Sequence, residues 1–292
     1  MNYSATPAQD TIFTDAEITQ YRRDGYVVAR GILGPRTVEA CKQALADLAT
    51  GQTPARQTIR SYETGYREAD LLPAQRELHI RKFMDYLDDA PVLRLAAMNR
   101  RLHLLMDQLV GQGRVLFQEM ALIKPPHIGS EKPWHQDAAY FRVSDPGLIV
   151  GTWVALDPAL RSNGCMEVIP GSHLHGPVPH EHEDDLNLCN ILASHTEPDR
   201  RVAIEMQAGD VLIFHSLLHH YTAANASPLR RRALQFHYHQ IGLEWTDLAA
   251  HQQMFHDGQG NYAGCTVPKV PQQNYSYRPG LIRRIDPIDP PA

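Results

Sequence analysis

The chain has 292 residues, 43% of them hydrophobic, and a net charge of −5, enough apolar material for a sizeable core in one large β-rich domain. Its lysines and arginines form no basic stripe, which argues against nucleic acid or a membrane surface as partner and in favour of a small molecule. No basic-then-apolar leader occupies the first ten residues and no long apolar run follows, so a soluble, cytoplasmic protein is expected.

Residues 1 to about 13 are expected to form a loose arm. Thr14 or Asp15 caps a helix through Arg23, and Asp24-Gly25 ends it before a short strand over Tyr26–Arg30. Pro35 opens a second helix, with Val38, Cys41, Leu45 and Leu48 at helical spacing up to Gly51. Residues 52–75, which include Arg56, Arg60, Glu63, Arg67 and Glu68, have no period and read as an irregular loop, a candidate flap over a site. Two helices are predicted at about 76–88 and 91–111. From Val115 short strand-type runs alternate with Pro, Gly and Asn, at 115–124, 148–157, 165–169, 201–206, 210–215 and 230–241; this pattern fits a sandwich, jelly roll or barrel. Residues 174–200 read as a solvated, acidic loop and 258–292 as an extended surface segment. Cys41, Cys165, Cys189 and Cys265 form no CxxC pair, so neither a disulfide framework nor a zinc knuckle is expected.

The chemistry concentrates in Pro133-Trp134-His135-Gln136-Asp137-Ala138-Ala139-Tyr140-Phe141. Side chains alternate in an extended segment, so His135 and Asp137 point to one face and Gln136 to the other. A third ligand is needed, and the stretch 209–220 offers His215, His219 and His220. Two histidines and a carboxylate with open positions suit non-haem Fe(II). The same donors could hold zinc with an activated water, in a hydrolase, or a structural metal in a jelly-roll binding module.

Three segments, 133–141, Asn163-Gly164-Cys165-Met166-Glu167-Val168-Ile169-Pro170-Gly171-Ser172-His173 and 209–232, resemble in that order the phytanoyl-CoA dioxygenase family of Fe(II)/2-oxoglutarate-dependent oxygenases. The resemblance is strong over about 115–241 and weaker at Asp24-Gly25-Tyr26-Val27-Val28. It implies a mainly β fold with flanking helices, a double-stranded β-helix or cupin-like jelly roll with iron at one mouth. One domain would then span 1–292, with a helical part at about 14–111, a jelly-roll core at about 115–241 and the C-terminal segment at 258–292. The implied cofactor is Fe(II), with 2-oxoglutarate and O2 as co-substrates.

The family places its distal histidine two residues before a Ser or Thr, five before an Asn and eleven before an Arg. Thr222, Asn225 and Arg231 select His220, making His135, Asp137 and His220 the implied catalytic ligands. Arg231 would pair with the far carboxylate of 2-oxoglutarate through its planar guanidinium. Strand alternation agrees, since Arg231, Ala233, Gln235, His237 and His239 share a face, opposite Leu234, Phe236 and Tyr238, which should pack on the helices. Thr222 stands at the family's serine and would donate to that carboxylate, while Asn225 and Ser227 fix the loop.

Trp153 stands where the family has a tryptophan beside the co-substrate, although core packing would explain it equally. Gln118 and Met120 share a face in 115–124 and would be co-substrate or substrate neighbours. Lys82 lies near the family's 2-oxoglutarate-binding lysine, although the segment reads as a helix on which a lysine would be exposed. His215, two residues after Ile213 on the expected inward face, would line the pocket, and His219 would be a packed or solvent-facing neighbour. The implied reaction is decarboxylation of 2-oxoglutarate to succinate and CO2 coupled to oxidation of an unactivated C–H bond. Related halogenases lack the carboxylate ligand; Asp137 favours hydroxylation, desaturation or ring closure. The substrate is expected to be a small molecule, a secondary metabolite or an acyl compound, and the oligomeric state is left open.

Overall fold

The computed structural model describes residues 13–183, 188–256 and 265; the arm expected before residue 13 and almost all of 258–292 lie outside the described residues. Phe13 itself is not loose, since it is buried and its N–H donates to Gln108 Oε1 at 2.7 Å. Helix α1 (Asp15–Asp24) starts on a capping box between Thr14 and Glu17 and stops at Gly25, whose φ of 82° few other residues adopt. Strand β1 (Tyr26–Ala29) and helix α2 (Pro35–Thr50) follow as expected. Next come β2 (Ile59–Tyr62), α3 (Pro73–Arg76), β3 (Ile80–Met84), α4 (Arg94–Ala97) and α5 (Arg100–Val110). The β-rich part holds β4 (Arg114–Lys124), β5 (Lys132–His135), β6 (Ile149–Ala155), β7 (Met166–Val168), β8 (His180–Glu183) and β9 (Leu188–Ile191). It continues with β10 (Val202–Ile204), β11 (Val211–His215), β12 (His220–Thr222) and β13 (Arg231–Gln240), before α6 (Leu248–Met254).

The strands pair into a seven-stranded sheet, β1-β11-β6-β13-β4-β3-β2, a four-stranded sheet, β10-β7-β12-β5, and the hairpin β8-β9. Leu234, Phe236, Tyr238, Val154 and Ile213 on one face of the larger sheet join Leu45, Leu48, Leu102 and Leu105 of the helices in one core. Each such buried side chain is worth about 1.5–3 kcal/mol of transfer free energy. Trp153, Ala155, Leu212, Phe214 and Ala233 on the opposite face pack with Met166 and Val168 of the smaller sheet. Helices on one side and a second sheet on the other give the jelly roll with flanking helices that the sequence implied.

Four expectations need correction. The helix predicted at 76–88 is a single turn followed by β3, so Lys82 is a strand residue and is only partly exposed. The loop 52–75 contains the edge strand β2. The 174–200 stretch includes a hairpin in which His180 is fully buried, because its ring supplies an acceptor that the buried backbone of Gln136 needs. Finally, Cys189 and Cys265 are joined in a disulfide across a separation of 76 residues, which no short spacing motif could reveal. Cys41 and Cys165 are free and buried.

Candidate active site

Strand β5 ends at His135 and β12 begins at His220, and the antiparallel register sets these two residues opposite each other. Their rings are 4.0 Å apart. Asp137 follows in a tight turn, Asp137–Tyr140, and its Oδ1 lies 3.4 Å from His135 Nε2 and 3.5 Å from His220 Nε2. The three buried ligand atoms lie within 4.8 Å of one another, and no other such group occurs among the described residues. His135 Nδ1 donates to Pro133 O at 2.8 Å and His220 Nδ1 to Leu218 O at 2.9 Å. A carbonyl can only accept, so each Nδ1 carries the proton and each Nε2 turns its lone pair to the shared centre.

The other carboxylate oxygen, Oδ2, is held from β13 by Gln235 Nε2 at 3.0 Å and His237 Nε2 at 2.8 Å. Phe214 packs edge-on to His220 at 5.3 Å. Gly151 makes room for it, because a Cβ there would lie 2.5 Å from the Phe214 ring. Burial, then the neighbouring His220, lowers the His135 pKa to about 3, which keeps its imidazole neutral and available to a cation at physiological pH. Burial alone would raise the Asp137 pKa; His220, His237 and the hydrogen bonds outweigh it and hold the carboxyl well below its ordinary range.

Gln136 points away as alternation requires. Its amide donates to Gly176 O at 2.8 Å and Leu217 O at 2.9 Å and accepts from Val178 N–H at 3.0 Å, while its own N–H donates to His180 Nε2 at 3.0 Å. His219 is buried beside the site and donates its N–H to Ser172 Oγ at 2.9 Å, but it is not in the ligand group. His215 is not in it either, and its expected place in the pocket is corrected by the face of β11 it shares with Ile213. Ile213 packs on the helix side, and the inward residues of β11 are Leu212 and Phe214; the His215 ring instead lies tilted against that of His173, 5.1 Å away.

Register lays out the inner face of the larger sheet in rows. Arg231 stands opposite Lys124; Ala233 opposite Leu122, and Leu122 opposite Lys82; Gln235 between Met120 and Trp153; His237 between Gln118 and Gly151. Arg231 is buried, donates from Nη1 to Leu122 O at 3.0 Å and lies 5.2 Å over the Trp153 ring. Its buried Nε has no partner. Burial lowers its pKa to about 10, which leaves the guanidinium charged. Thr222 is buried on the same side of β12 as His220. Lys124 donates to Ser130 O and, at 3.4 Å, to Thr222 O; burial, then Arg231, pushes its pKa well down. The Gly164 of the Asn163-Gly164 motif is required here, since a Cβ would come within 2.4 Å of Ala223 O and 2.7 Å of Lys124 Cδ. Burial, then Arg81, lowers the Lys82 pKa to about 8. Gln118 is half-buried beside His237. As expected, Asn225 ties the loop, donating to Lys124 O, Pro125 O and Leu229 O at 3.2, 3.1 and 2.7 Å.

Sequence reasoning missed Gln235, His237 and Lys124 as parts of the site. Alternation already placed the first two on the face of Arg231, and that was the available signal. Which of that row touches Asp137 depends on how the two sheets stack.

The model of the phytanoyl-CoA dioxygenase family (PhyH) matches residues 21–233. The chain belongs to this family. Its members are 2-oxoglutarate-dependent non-haem iron oxygenases, with Fe(II) as cofactor and 2-oxoglutarate and O2 as co-substrates. Phytanoyl-CoA dioxygenase 1 of Oryza sativa subsp. japonica is 28% identical over 258 residues, covering 80% of this chain and 92% of the relative. The epimerase SnoN, solved with Fe3+, alpha ketoglutarate and nogalamycin RO, shares the fold at a TM-score of 0.61 and 22% identity, covering 94% of this chain and 96% of its own. EctD from S. alaskensis, solved with bound Fe, does so at a TM-score of 0.63 and 21% identity, covering 83% and 81%. The donor set fits such a metal, with two imidazole nitrogens and one carboxylate oxygen already turned to a common point. No described helix is long and apolar enough to cross a membrane.

Proposed function

We propose that this chain, as one domain, hydroxylates an unactivated C–H bond of a small molecule while 2-oxoglutarate is converted to succinate and CO2. Bound Fe(II) would supply the oxidising chemistry with O2. His135, Asp137 and His220 hold the metal, and three protein ligands leave room for the co-substrate and O2. Gln235 and His237 fix the carboxylate so that Oδ1 is presented to the metal and Oδ2 is not. Arg231 receives the far carboxylate of 2-oxoglutarate, with Thr222 as a second donor and Trp153 as the wall beneath the guanidinium. Lys82 and Gln118 line the same face and add donors toward the co-substrate. Asp137 fills the position a halide would need, which favours hydroxylation over halogenation.

The observation that carries this reading is the unsatisfied, buried Arg231 Nε, on the strand whose Gln235 and His237 anchor Asp137. A charged donor kept out of water needs an acceptor, and a dicarboxylate bound at the metal would bring one. A hydrolytic zinc site would have no use for it. The test is succinate release from 2-oxoglutarate with Fe(II), ascorbate and O2, first alone and then across a panel of small metabolites and acyl compounds. Release stimulated by one panel member is expected; a metal-loaded protein that never forms succinate sinks the reading.

A further inference from the structure

Strand β3 carries an irregularity that bears on the substrate. Tyr62 pairs with Ile80 and Ser61 with Lys82, so Arg81 is an extra residue with no counterpart on β2. In a regular strand Ile80 and Phe83, three residues apart, would face opposite sides. Both are buried in the core beneath the helices. The bulge reconciles these facts and leaves Arg81 and Lys82, two adjacent cations, directed to the inner face, where Lys82 stands opposite Leu122.

The Arg81 guanidinium makes no hydrogen bond or ion pair within the described residues, whereas the cations around it are engaged. Lys124 donates to carbonyls, Arg231 to Leu122 O, and Lys132 to the Tyr140 hydroxyl. Arg81 lies close enough to Glu63 and Tyr140 to feel the charge of both, and burial lowers its pKa. Glu63 accepts the Ser130 N–H at 3.1 Å through Oε1, and its buried Oε2 has no partner, so it makes no hydrogen bond to Arg81 and acts on it only through space. Tyr140 follows Asp137 by three residues, and its ring is 6.0 Å from that of His135. Arg81 is therefore a half-buried cation on the metal side of the barrel, balanced only through space by Glu63 and with its donors free to take an anion that reaches the inner face. The two carboxylates of 2-oxoglutarate already have places, at the metal and at Arg231.

We infer that Arg81 receives a carboxylate of the primary substrate, and that the substrate class is therefore organic acids. The inference rests on the oxygenase reading, because it assigns 2-oxoglutarate elsewhere. A planar guanidinium suits a carboxylate better than a lysine would, since it offers two parallel donors.

The probes are acids with their primary amides, octanoate with octanamide and 3-phenylpropionate with 3-phenylpropionamide, titrated calorimetrically into protein loaded with Mn(II) and 2-oxoglutarate. At least one acid should bind about tenfold or more tightly than its amide. R81Q should erase that preference and R81K should keep part of it. Thermal unfolding of both variants separates loss of the site from loss of the fold, and R81K keeps the test decisive if R81Q unfolds. Equal binding of acid and amide, no binding of any probe, or an acid preference that survives in R81Q overturns the inference. So does a loss of 2-oxoglutarate affinity in R81Q, which would make Arg81 a co-substrate residue. Failure of wild-type protein to form succinate is a separate result and sinks the oxygenase reading instead.

Discussion

Replacing Arg231 by Met tests the co-substrate assignment most directly. The side chain is 2% exposed, so whatever it pairs with is shielded from water and poorly replaced by it. Removing one partner of a buried charged pair costs about 3–5 kcal/mol, which corresponds to roughly 10²- to 4 × 10³-fold in the Kd of 2-oxoglutarate. Met fills much of the same volume and removes an unpaired cation, while Leu122 O loses its donor; these opposing effects should leave thermal stability of the free protein near wild type. Calorimetric titration of 2-oxoglutarate into Mn(II)-loaded protein measures the loss, and metal titration should be unchanged because Arg231 touches no ligand. Lys in its place keeps the charge but not the planar fork, and an intermediate Kd is expected. A change of less than about fivefold in R231M would refute the argument, since a buried pair cannot be lost that cheaply.

His220→Ala should abolish stoichiometric metal binding, whereas His219→Ala should retain it; the reverse pattern would show that the distal ligand is misassigned. Gln235→Leu and His237→Phe each release Asp137 Oδ2 and should weaken metal binding about 10–100-fold, as read by chelator competition; unchanged affinity would mean that these bonds do not orient the carboxylate. The Lys82 ammonium titrates at about 8, so it is charged below that pH and attracts the dianionic co-substrate. Affinity for 2-oxoglutarate should therefore fall as pH rises through 8 and beyond, with the midpoint displaced upward by the bound anion. Lys82→Met should flatten the profile, and an identical profile in the variant would remove Lys82 from the site.

The metal-capable group was legible because His135 and Asp137 sit two apart in an extended segment and the motif spacing past His220 is local. What brings His220 to His135 is the β5–β12 register, and that pairing spans 85 positions with no local signal. Ile80 and Phe83 show how a local signal can mislead. Their spacing of three imitates helical periodicity, yet both reach the core because of the bulge at Arg81, and the segment around Lys82 is a strand. In β11 the run Val211-Leu212-Ile213-Phe214 is apolar on both faces, so alternation offered no contrast and His215 was assigned to the wrong side. The strand β13 was read correctly because its outer face is apolar and its inner face polar. The Cys189–Cys265 bond depends on where residue 265 returns to the fold, which no pattern in the sequence encodes.

The two sheets divide the work. The smaller sheet supplies both histidines, the larger supplies the inner row of cations and amides, and Asp137 is bonded to the larger through Gln235 and His237. Strand β13 thus both fixes the carboxylate that faces the metal and presents Arg231. Four strand residues, about 13 Å, separate Arg231 from Gln235, so the gap is set by regular backbone rather than by loops. A rigid gap of this kind measures the length of a dicarboxylate spanning it. Oxaloacetate, one carbon shorter than 2-oxoglutarate, should fail to reach both ends and bind at least about tenfold more weakly, the loss of a single charge-assisted hydrogen bond. In R231M the far end has nothing left to reach, so the two diacids should bind alike. A length preference that persists in R231M would place the ruler elsewhere, at Lys82 or Lys124, and would detach Arg231 from the co-substrate.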